Sequence, residues 1–460
     1  LLQDVMPNLI MLDGLRSDML EVTPNANSNL VEIHNQSISP DNPFTDPSGL
    51  YKVIINVNEV LANIDVLANR DRDYDALAEK AVKGALIGLR SWSYLTLARL
   101  HGSVALIDGN MTTVPDNASQ TIIGKNELIP MLIEDITPYI HDTSDGSEFV
   151  EYRFDHFMNP KALLGELYLE MNNYPEAARY LKLACESYLN SPSMLKVDRT
   201  YQDAAWGAIF LNAESNRLEN ISVVPFSRAE DQYNPLPRWL GYEYEYMARP
   251  TSLVIDSFFT QINAAGDTLD LYRAAFTLDF QMQQINDSTF TFVNPEVRKY
   301  SIDGNDPFSS DIIISRAADV HLMLAEAYNR MGDETSQEYA LMLLNQGVNN
   351  ENPKPAEFTR WSGNLGIRGR AYLSSREVPE RDSISVEERT ILIEDAIIAE
   401  RALELAYEGK RWFDLMRIAD RRNDPAYLAD RVAAKFKGTG KYDEIRNKLM
   451  NPENWYIPVK

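Results

Sequence analysis

Apolar residues recur every three or four positions in four stretches of the chain, and this spacing predicts amphipathic helices that each bury one face. Aromatic and polar loops separate these stretches, and no low-complexity run marks a linker between domains. The pattern therefore predicts one mainly α-helical domain over residues 1–460. The helical scaffold is expected at about residues 50–100, 160–190, 317–350 and 391–422, with loop-rich insertions at about residues 1–49, 200–310 and 351–390.

Two of the helical stretches have the residue spacing of a tetratricopeptide repeat, a helix pair of about 34 residues. In the stretch that begins at Pro160, the small residues Gly165 and Ala177 stand where two antiparallel helices would approach closely. The stretch that begins near Ala317 repeats the pattern, with Gly332 after its first helix. Because about three repeats are needed to bury a continuous core, the other helices are expected to complete the scaffold.

Between these two repeats the apolar period changes from helical to alternating. Alternation runs from Phe276 to Met282 and resumes from Phe290 to Phe292, with Asn286-Asp287 between the two runs. This arrangement predicts a small β-hairpin. The expected fold class is therefore mainly α: a tetratricopeptide-repeat helical scaffold with long loops and a small β-hairpin region.

The fourth helical stretch carries a run of charges within an apolar setting. One helix is expected to end with Gly409 as the residue after its C-cap, and a second to start near Lys410. Spacings of three and four place opposite charges on one helical face, which fits either a ligand-binding cluster or buried ion pairs that hold elements in register. The neighbouring Leu, Trp and Phe side chains favour the structural alternative. The run consists of Arg401, Glu404, Glu408, Arg411, Asp414 and Arg417.

The charge balance narrows the classes of partner. The chain has 44 Lys and Arg against 68 Asp and Glu, a formal net charge of −24. Affinity for nucleic acid comes mainly from Lys and Arg at phosphates, so nucleic acid is excluded and an anionic membrane surface is disfavoured. No stretch reaches the roughly 18 uninterrupted apolar residues that span a membrane. Cys185 is the single cysteine, which excludes a disulfide framework and any multi-cysteine metal site.

A search for catalytic motifs assigns no catalytic residue, no metal ligand and no cofactor. There is no nucleophile elbow or phosphate-binding glycine loop, and no two of the five histidines share a metal-ligand spacing. Two acidic turns could hold a structural calcium ion, although acidic residues are also ordinary turn residues. The turns contain Asp142, Asp145 and Glu148 in one case, and Asp303, Asn305 and Asp306 in the other.

The stretch AIIAERALELAYEGKRWFDLMR resembles the C-terminal hallmark of the SusD/RagB family, with the match running from Glu400 to Arg417. Further family-like segments follow the expected order along nearly the whole chain. They are GLRSDML, YKVIINVNEVLANI, ALIGLRSWSYLTLARLHGSVAL, ISRAADVHLMLAEAYNRMG, IRGRAYL and the closing NWYIPVK.

The resemblance implies a non-enzymatic, nutrient-binding lipoprotein on the extracellular face of the outer membrane. Such proteins resemble a hinged lid over a SusC-like, TonB-dependent transporter, and they capture oligosaccharides or, in some lineages, peptides. The lipid anchor would be attached to an N-terminal cysteine. That cysteine is not in this chain, because Cys185 falls within a predicted repeat helix.

A ligand surface is expected in the 26 residues from Pro225 to Pro250, which contain six aromatic residues among Pro, Gly and charged neighbours. This mixture fits neither an amphipathic helix nor a buried strand, so a long loop is predicted. Flat amphipathic rings suit sugars, because one face stacks on C–H groups while a hydroxyl still forms a hydrogen bond. The alternative is that some of these rings fill gaps between repeats. The candidates in this segment are Tyr233, Trp239, Tyr242 and Tyr244.

Candidates outside that segment complete the hypothesis. Trp361 in the loop FTRWSGNLG is predicted to join Trp239, Tyr242 and Tyr244 in an aromatic platform, whereas Trp92 on a helical apolar face is predicted to be core. The resemblance implies polar ligand contacts near the start of the chain, where Arg16 and Asp18 stand. A local turn or cap role for Asp18 is the alternative.

Three functions therefore remain open at this point. The first is binding and delivery of oligosaccharides without turnover, and the second is binding of peptides by the same scaffold, as in RagB-like proteins. The third is a helical glycoside hydrolase or lyase, which requires two carboxylates at catalytic separation in one cleft.

Overall fold

The structure, a computed structural model, is mainly helical, as predicted, with four small two-stranded sheets among the residues it describes. These residues are 1–68, 70, 76–107, 121–140, 158–186, 197, 199–202, 204–211, 213, 216, 219–286, 289–359, 361 and 363–459. Within them, no helix has the length and apolar composition that crossing a membrane requires.

The helices are α1 Leu2–Arg16, α2 Ser28–His34, α3 Ser48–Ala68, α4 Ala76–His101, α5 Lys125–Ile136, α6 Pro160–Glu170, α7 Tyr174–Glu186, α8 Ala205–Leu211, α9 Leu236–Leu240, α10 Ser252–Phe259, α11 Leu271–Thr277, α12 Ala317–Met331, α13 Glu334–Leu344, α14 Ile367–Arg370, α15 Val386–Glu404, α16 Arg411–Arg421, α17 Pro425–Ala434 and α18 Tyr442–Leu449. The strands are β1 Leu20–Val22, β2 Ser103–Ala105, β3 Ile122–Gly124, β4 Asn220–Val224, β5 Ala248–Pro250, β6 Leu278–Asn286, β7 Thr289–Val297 and β8 Ile312–Arg316. The antiparallel pairs are β1 with β5, β2 with β3, β4 with β8, and β6 with β7.

Both predicted repeats are present as helix pairs, α6 with α7 and α12 with α13, and α12 also packs against α7 and α15. Gly165 permits the close approach within the first pair, because a Cβ there would lie 2.4 Å from Leu181 Cγ. Gly332 ends α12 in the left-handed conformation that favours glycine. Trp92 and Cys185 are buried, as predicted for core residues.

The predicted hairpin is formed by β6 and β7, with Asn286 opposite Thr289 at its end. The predicted loop-rich start, in contrast, contains the 15-residue helix α1. Its apolar residues surround the helix axis rather than forming one stripe, because the second half of the helix, from Ile10 to Arg16, is enclosed by the core. The buried members are Met6, Ile10, Met11, Leu12 and Leu15.

The first helix of the charged stretch ends at Glu404, five residues before the predicted Gly409. Side chains from other elements bind the carbonyl groups at this end and so replace the next helical hydrogen bonds. Arg316 donates to the carbonyl of Glu404 at 2.5 Å, Lys299 to that of Ala406 at 2.8 Å, and Tyr300 to that of Tyr407 at 2.7 Å. The helix terminus is therefore set by distant residues.

The charged run is part of a buried ion-pair network, as the structural alternative predicted. Five basic side chains meet five acidic ones around the end of α15, and each of these side chains is at most 4% exposed. Charges removed from water in this way are stable only when paired and hydrogen-bonded. The members are Arg273, Lys299, Arg316, Arg368 and Arg370 with Glu219, Asp270, Glu400, Glu404 and Glu408. Arg401 and Arg417 join a neighbouring group through Asp414, at 2.8 and 2.9 Å.

Asp13 on α1 caps the start of α16, since its carboxylate accepts a hydrogen bond from the Trp412 backbone N–H at 2.7 Å. Burial raises the pKa of Asp13 to about 7, and the Asp414 charge adds to the rise, while the Trp412 and Arg411 backbone N–H groups oppose it. The folded protein therefore holds a proton that the unfolded chain releases near pH 4.

We expect Asp13→Asn to remove a pH dependence of stability. A folded pKa above the unfolded pKa favours folding fully below pH ~4, and this contribution is lost as the pH rises through ~7, at up to about 1.4 kcal/mol per pH unit. The asparagine keeps an oxygen for the Trp412 N–H and cannot ionise. Between pH 4.5 and pH 8, the free energy of unfolding of the unmodified protein should fall relative to that of the variant measured at the same two pH values. If the two proteins differ in free energy of unfolding by the same amount at both pH values, the raised pKa of Asp13 is contradicted.

Candidate functional site

Three tyrosines from the predicted segment expose their rings on one region of the surface. Tyr233 is 51% exposed, Tyr242 43% and Tyr244 45%, and we call these three residues the tyrosine surface. The segment that carries them is more ordered than the predicted loop, because it includes α9 and ends in β5. The predicted exposure of rings in this segment is thus confirmed for these three tyrosines. Their contact with a ligand stays a prediction.

The tyrosine rings are held by aromatic neighbours and by the backbone. Tyr242 packs edge-on against Tyr246 with ring centroids 5.3 Å apart, and the Tyr246 hydroxyl donates to the Pro295 carbonyl at 2.7 Å. Tyr244 packs against Phe308, also at 5.3 Å. The Phe308 carbonyl accepts from the backbone N–H next to Tyr233, at Asn234, over 2.8 Å. The Tyr242 and Tyr244 rings are therefore packed in place before any ligand arrives, and Tyr233 is positioned through the backbone beside it.

Trp239 is half-buried and lies at the edge of the core. Its ring contacts Phe44 at a centroid distance of 5.6 Å, and its carbonyl accepts from the Met247 N–H at 2.7 Å. One part of the indole supports the fold, and the exposed remainder is what a ligand could contact.

The structure corrects the predicted exposure of Trp361, which is only 1% exposed. Its ring packs edge-on against Phe358 at 4.9 Å and His321 at 5.4 Å, and its indole N–H donates to Glu186 at 2.8 Å. A ring enclosed on both faces cannot stack on a sugar in this conformation, so the indole acts as core between α7 and α12.

Asp18 lines a polar pocket of about 290 Å³ on the face formed by α10, α15 and the start of α16, which we call the Asp18 pocket. Its carboxylate accepts two hydrogen bonds from Arg411, at 2.8 and 2.7 Å. Burial opposes its ionisation, but the Arg411 guanidinium outweighs burial and holds the pKa of Asp18 below its ordinary value. Asp18 is thus a bidentate partner of Arg411 that is ionised at neutral pH.

Arg376 is the cation of the Asp18 pocket that has no carboxylate partner among the described residues. One amide oxygen, Gln261 Oε1, accepts from Arg376 at 2.9 Å and also from Arg368 at 3.1 Å. The Arg376 Nε is buried without an acceptor. Burial lowers the pKa of Arg376, and the nearby Arg368 charge lowers it further. The pocket can therefore offer donors to hydroxyl or carboxylate oxygens of a ligand.

Arg16, the other polar candidate, points elsewhere. It is 2% exposed, lies 3.9 Å above the Trp412 ring, and does not line the Asp18 pocket. The structure therefore separates Arg16 from Asp18, although the two residues are neighbours in the sequence.

A short ladder connects the Asp18 pocket to the tyrosine surface. Strand β1 pairs with β5 from Leu20 opposite Pro250 to Val22 opposite Ala248. At one end the Thr251 hydroxyl donates to the Asp18 carbonyl at 2.6 Å, and at the other the Thr23 hydroxyl donates to the Tyr246 carbonyl. The ladder therefore fixes the Asp18 backbone relative to the Tyr246 backbone.

Of the two predicted calcium turns, the one with Asp142, Asp145 and Glu148 lies outside the described residues. In the other, Asp303 accepts from the Asn305 backbone at 2.9 Å, and Asp306 accepts from the Ser309 hydroxyl at 2.8 Å. No group of three or more His, Cys, Asp or Glu side chains in the described part of the chain is placed to hold a metal ion.

Comparison with known proteins shows which family the C-terminal part of the chain resembles. Residues 281–460 match the sequence model of the SusD family. SusD-like protein P38 from Formosa agariphila is 23% identical over 424 residues, which cover 84% of this chain and 75% of that protein. In sequence, residues 281–460 of the chain are SusD-like.

The fold is similar to that of SusD superfamily proteins along nearly the whole chain. A SusD superfamily protein from Bacteroides vulgatus superposes with a TM-score of 0.67 at 18% identity, covering 96% of this chain and 86% of that one. A laminarin-binding SusD-like protein superposes with a TM-score of 0.62, also at 18% identity, covering 99% and 94%. At this identity the likeness establishes the fold alone.

Several residues at the site of this SusD-like protein were not predicted from its sequence. Arg376, Gln261 and Phe308 come from three separate segments, and only the folded chain brings them beside Asp18 or the tyrosine surface. Arg376 stands in a polar, irregular segment with no motif around it. No local signal could have selected it.

Proposed function

We propose that this protein binds oligosaccharides on the outside of the cell by stacking sugar rings on the tyrosine surface, while the Asp18 pocket supplies polar contacts. It then delivers the glycan to a SusC-like, TonB-dependent transporter of the outer membrane, without catalysis. The observation that carries the proposal is the exposure of Tyr233, Tyr242 and Tyr244 on preorganised supports.

The chemistry of these rings supports a glycan ligand. Single exposed apolar side chains are normal, but three tyrosines from one segment, each more than two-fifths exposed, form the kind of aromatic surface that marks a binding site. A phenol ring stacks on the C–H face of a sugar and its hydroxyl exchanges hydrogen bonds with the ligand. The carbohydrate binding of the laminarin-binding SusD-like protein supports the same class of ligand.

Likeness to the SusD family supports the proposed location and the proposed transporter partner. SusD-family proteins are typically found at the cell surface, where they cooperate with SusC-like transporters. Localisation at the extracellular face of the outer membrane, through a lipidated N-terminal cysteine that is not in this chain, is part of the proposal. So is the SusC-like partner.

The absence of turnover is supported by the state of Asp18. The described lining of the Asp18 pocket contains this one carboxylate, and a hydrolase of the usual kind needs two, one of them a proton donor. Asp18 is held ionised by Arg411, so it cannot donate a proton near neutral pH.

A hydrolase or lyase is the less favoured alternative, and one carboxyl pair beside the tyrosine surface allows it to be tested. Glu296 stands opposite Asp279 across the hairpin, and Glu296 accepts from the Tyr242 backbone N–H. Burial raises the pKa of Glu296, the Tyr242 N–H opposes the rise, and the Asp279 charge adds to it. A raised carboxyl pKa is a property of general acids.

Peptide binding by a RagB-like importer component is the other alternative. The Arg376 guanidinium in the Asp18 pocket, which no carboxylate of the described residues neutralises, would suit a peptide carboxylate. A peptide also needs backbone partners, such as a free strand edge beside the pocket.

Incubation with a panel of neutral polysaccharides and of mixed peptides tests the proposal. We expect retardation on native gels that contain one or more glycans, with no release of reducing sugar or unsaturated product. Product formation that is lost in Glu296→Gln would establish the hydrolase or lyase alternative. Peptide retention without glycan binding would establish the RagB-like alternative, and either result would overturn the proposal.

A further inference from the structure

Arg16 is a buried cation without an anionic partner, which is rare in folded proteins because a charge removed from water is normally paired. Its guanidinium is 2% exposed and forms no ion pair with any described residue. It has two long hydrogen bonds, to Gln36 Oε1 and to the Asn454 carbonyl, each at 3.3 Å. The Nη1 atom has no acceptor at all.

Arg16 lines an open pocket of about 410 Å³ between the end of α1, the segment after α2 and the C-terminal segment, which we call the Arg16 pocket. This pocket shares no lining residue with the Asp18 pocket. Lys448 on α18 brings a second positive charge to its wall and has no ion pair among the described residues. The one acidic residue of the lining is Glu453, whose side chain is exposed to solvent.

His101 adds a hydrogen-bond acceptor to the Arg16 pocket. Its Nδ1 is 3.1 Å from the Ile457 carbonyl, and since a carbonyl only accepts, the ring proton is on Nδ1. Its Nε2 is then an acceptor, and this atom is buried without a partner. Burial lowers the pKa of His101, the Ile457 carbonyl opposes this, and the Arg16 charge lowers it further, so the ring is neutral.

We propose that the Arg16 pocket binds a small hydroxylated oxyanion, such as the carboxylate or sulfate end of an acidic sugar. Arg16 and Lys448 would donate to the oxyanion, and His101 Nε2 would accept from a neighbouring hydroxyl. The bound anion would accept a hydrogen bond from Arg16 Nη1, which has no acceptor among the described residues of the folded protein.

The electrostatic setting gives this pocket its specificity. The chain has a formal net charge of −24, so anions are repelled from most of its surface. Arg16 and Lys448 line the same opening, so their positive charges oppose this repulsion there. The Arg16 charge is retained at neutral pH, because burial lowers its pKa only to about 9, with Asp13 opposing the fall. The Trp412 ring, at 3.9 Å, stabilises the cation without neutralising it.

Isothermal titration calorimetry with sodium glucuronate in low salt tests the proposal. We expect glucuronate to bind, glucose at the same concentration to give no heat, and acetate to bind about tenfold more weakly because it lacks the hydroxyl. Sodium sulfate and galactose 6-sulfate distinguish a preference for carboxylate from one for sulfate. Either acidic sugar must bind more tightly than the simple ion of its own class.

Lys448→Gln is the informative variant, because Lys448 is half-buried, has no ion pair to lose and should not be needed for folding. We expect it to weaken glucuronate binding about fivefold to tenfold. Lys441→Gln is the matched control, since Lys441 precedes the same helix, donates to Asn35 at 3.0 Å and does not line the pocket. Arg16→Gln should abolish binding, and if that variant fails to fold, Lys448→Gln still decides.

No heat with any acidic sugar, or equal affinity in Lys448→Gln and the unmodified protein, would overturn the proposal. Equal affinity for acetate and glucuronate would overturn the role of His101. Replacing Tyr242 and Tyr244 by Ala should leave glucuronate affinity unchanged, since these residues belong to the tyrosine surface. A loss of glucuronate affinity in that variant would mean that the anion binds at the tyrosine surface, which would contradict a separate Arg16 pocket.

Discussion

Replacing Glu404 by Gln is expected to lower the free energy of unfolding by about 3–5 kcal/mol, the usual result of removing one member of a buried ion pair. The Glu404 carboxylate accepts from Arg316 at 2.9 Å, from Arg273 at 2.8 Å and from the Tyr201 hydroxyl. Both ion pairs are fully buried. The amide would keep the shape of the side chain but leave two guanidinium groups with less negative charge than they need.

Urea unfolding at pH 7 measures this effect, with Glu387→Gln as the matched control on the same helix. Glu387 is exposed in the first turn of α15, so the control should change the free energy of unfolding by less than about 1 kcal/mol through the helix dipole. A Glu404→Gln variant as stable as this control would mean that the network contributes nothing at Glu404. Ligand affinity of the folded fraction should be unchanged.

The ionisation of Glu404 predicts how the destabilisation by Glu404→Gln changes with pH. Burial opposes the ionisation of Glu404, but Arg316 and Arg273 outweigh it and lower its pKa to about 2. A folded pKa below the unfolded value stabilises the protein above pH ~4.5, and this contribution is lost as the pH falls through ~2. The destabilisation by Glu404→Gln should therefore shrink at strongly acid pH.

The parts of the fold that the sequence predicted are those with local signals. The repeat pair α6 and α7 follows from small and large residues at fixed offsets, and the β6–β7 hairpin follows from alternation on both sides of one turn. Helix α1 was missed because its second half, from Ile10 to Arg16, is buried on all sides and has no polar face to reveal the helical period. The end of α15 was misplaced because Arg316, Lys299 and Tyr300, all distant in sequence, bind its carbonyl groups.

The predictions for the candidate site can also be separated into those with a local signal in the sequence and those without one. Exposed rings at Tyr233, Tyr242 and Tyr244 were predicted because a mixture of aromatic, Pro and charged residues cannot be buried as one element. Trp361 stands in a similar mixture, yet Glu186 on a distant helix accepts its indole N–H, and that partner allows the ring to be buried. Whether a polar loop exposes its tryptophan depends on such a partner, which no local pattern contains.

Replacing Tyr242 and Tyr244 together by Ala is expected to weaken binding of the tightest neutral oligosaccharide of the glycan panel by about 10- to 100-fold. Each stacked ring contributes roughly 0.5–1.5 kcal/mol, and a factor of ten corresponds to about 1.4 kcal/mol. Both side chains are more than two-fifths exposed, so their removal should not unfold the protein.

Replacing the same two residues by Phe is the matched control, and calorimetric titration compares the two double variants. Phenylalanine keeps the edge contacts with Tyr246 and Phe308 and the stacking face but removes the hydroxyl groups. If stacking carries the affinity, the Phe variant should stay within a few-fold of the unmodified protein, because a hydrogen bond that competes with water contributes only about 1 kcal/mol. If the Ala and Phe variants lose affinity equally, the hydroxyl groups bind the ligand and the rings only position them. If neither loses affinity, the tyrosine surface is not the glycan site, and the Asp18 pocket must then account for binding through Arg376 and Gln261.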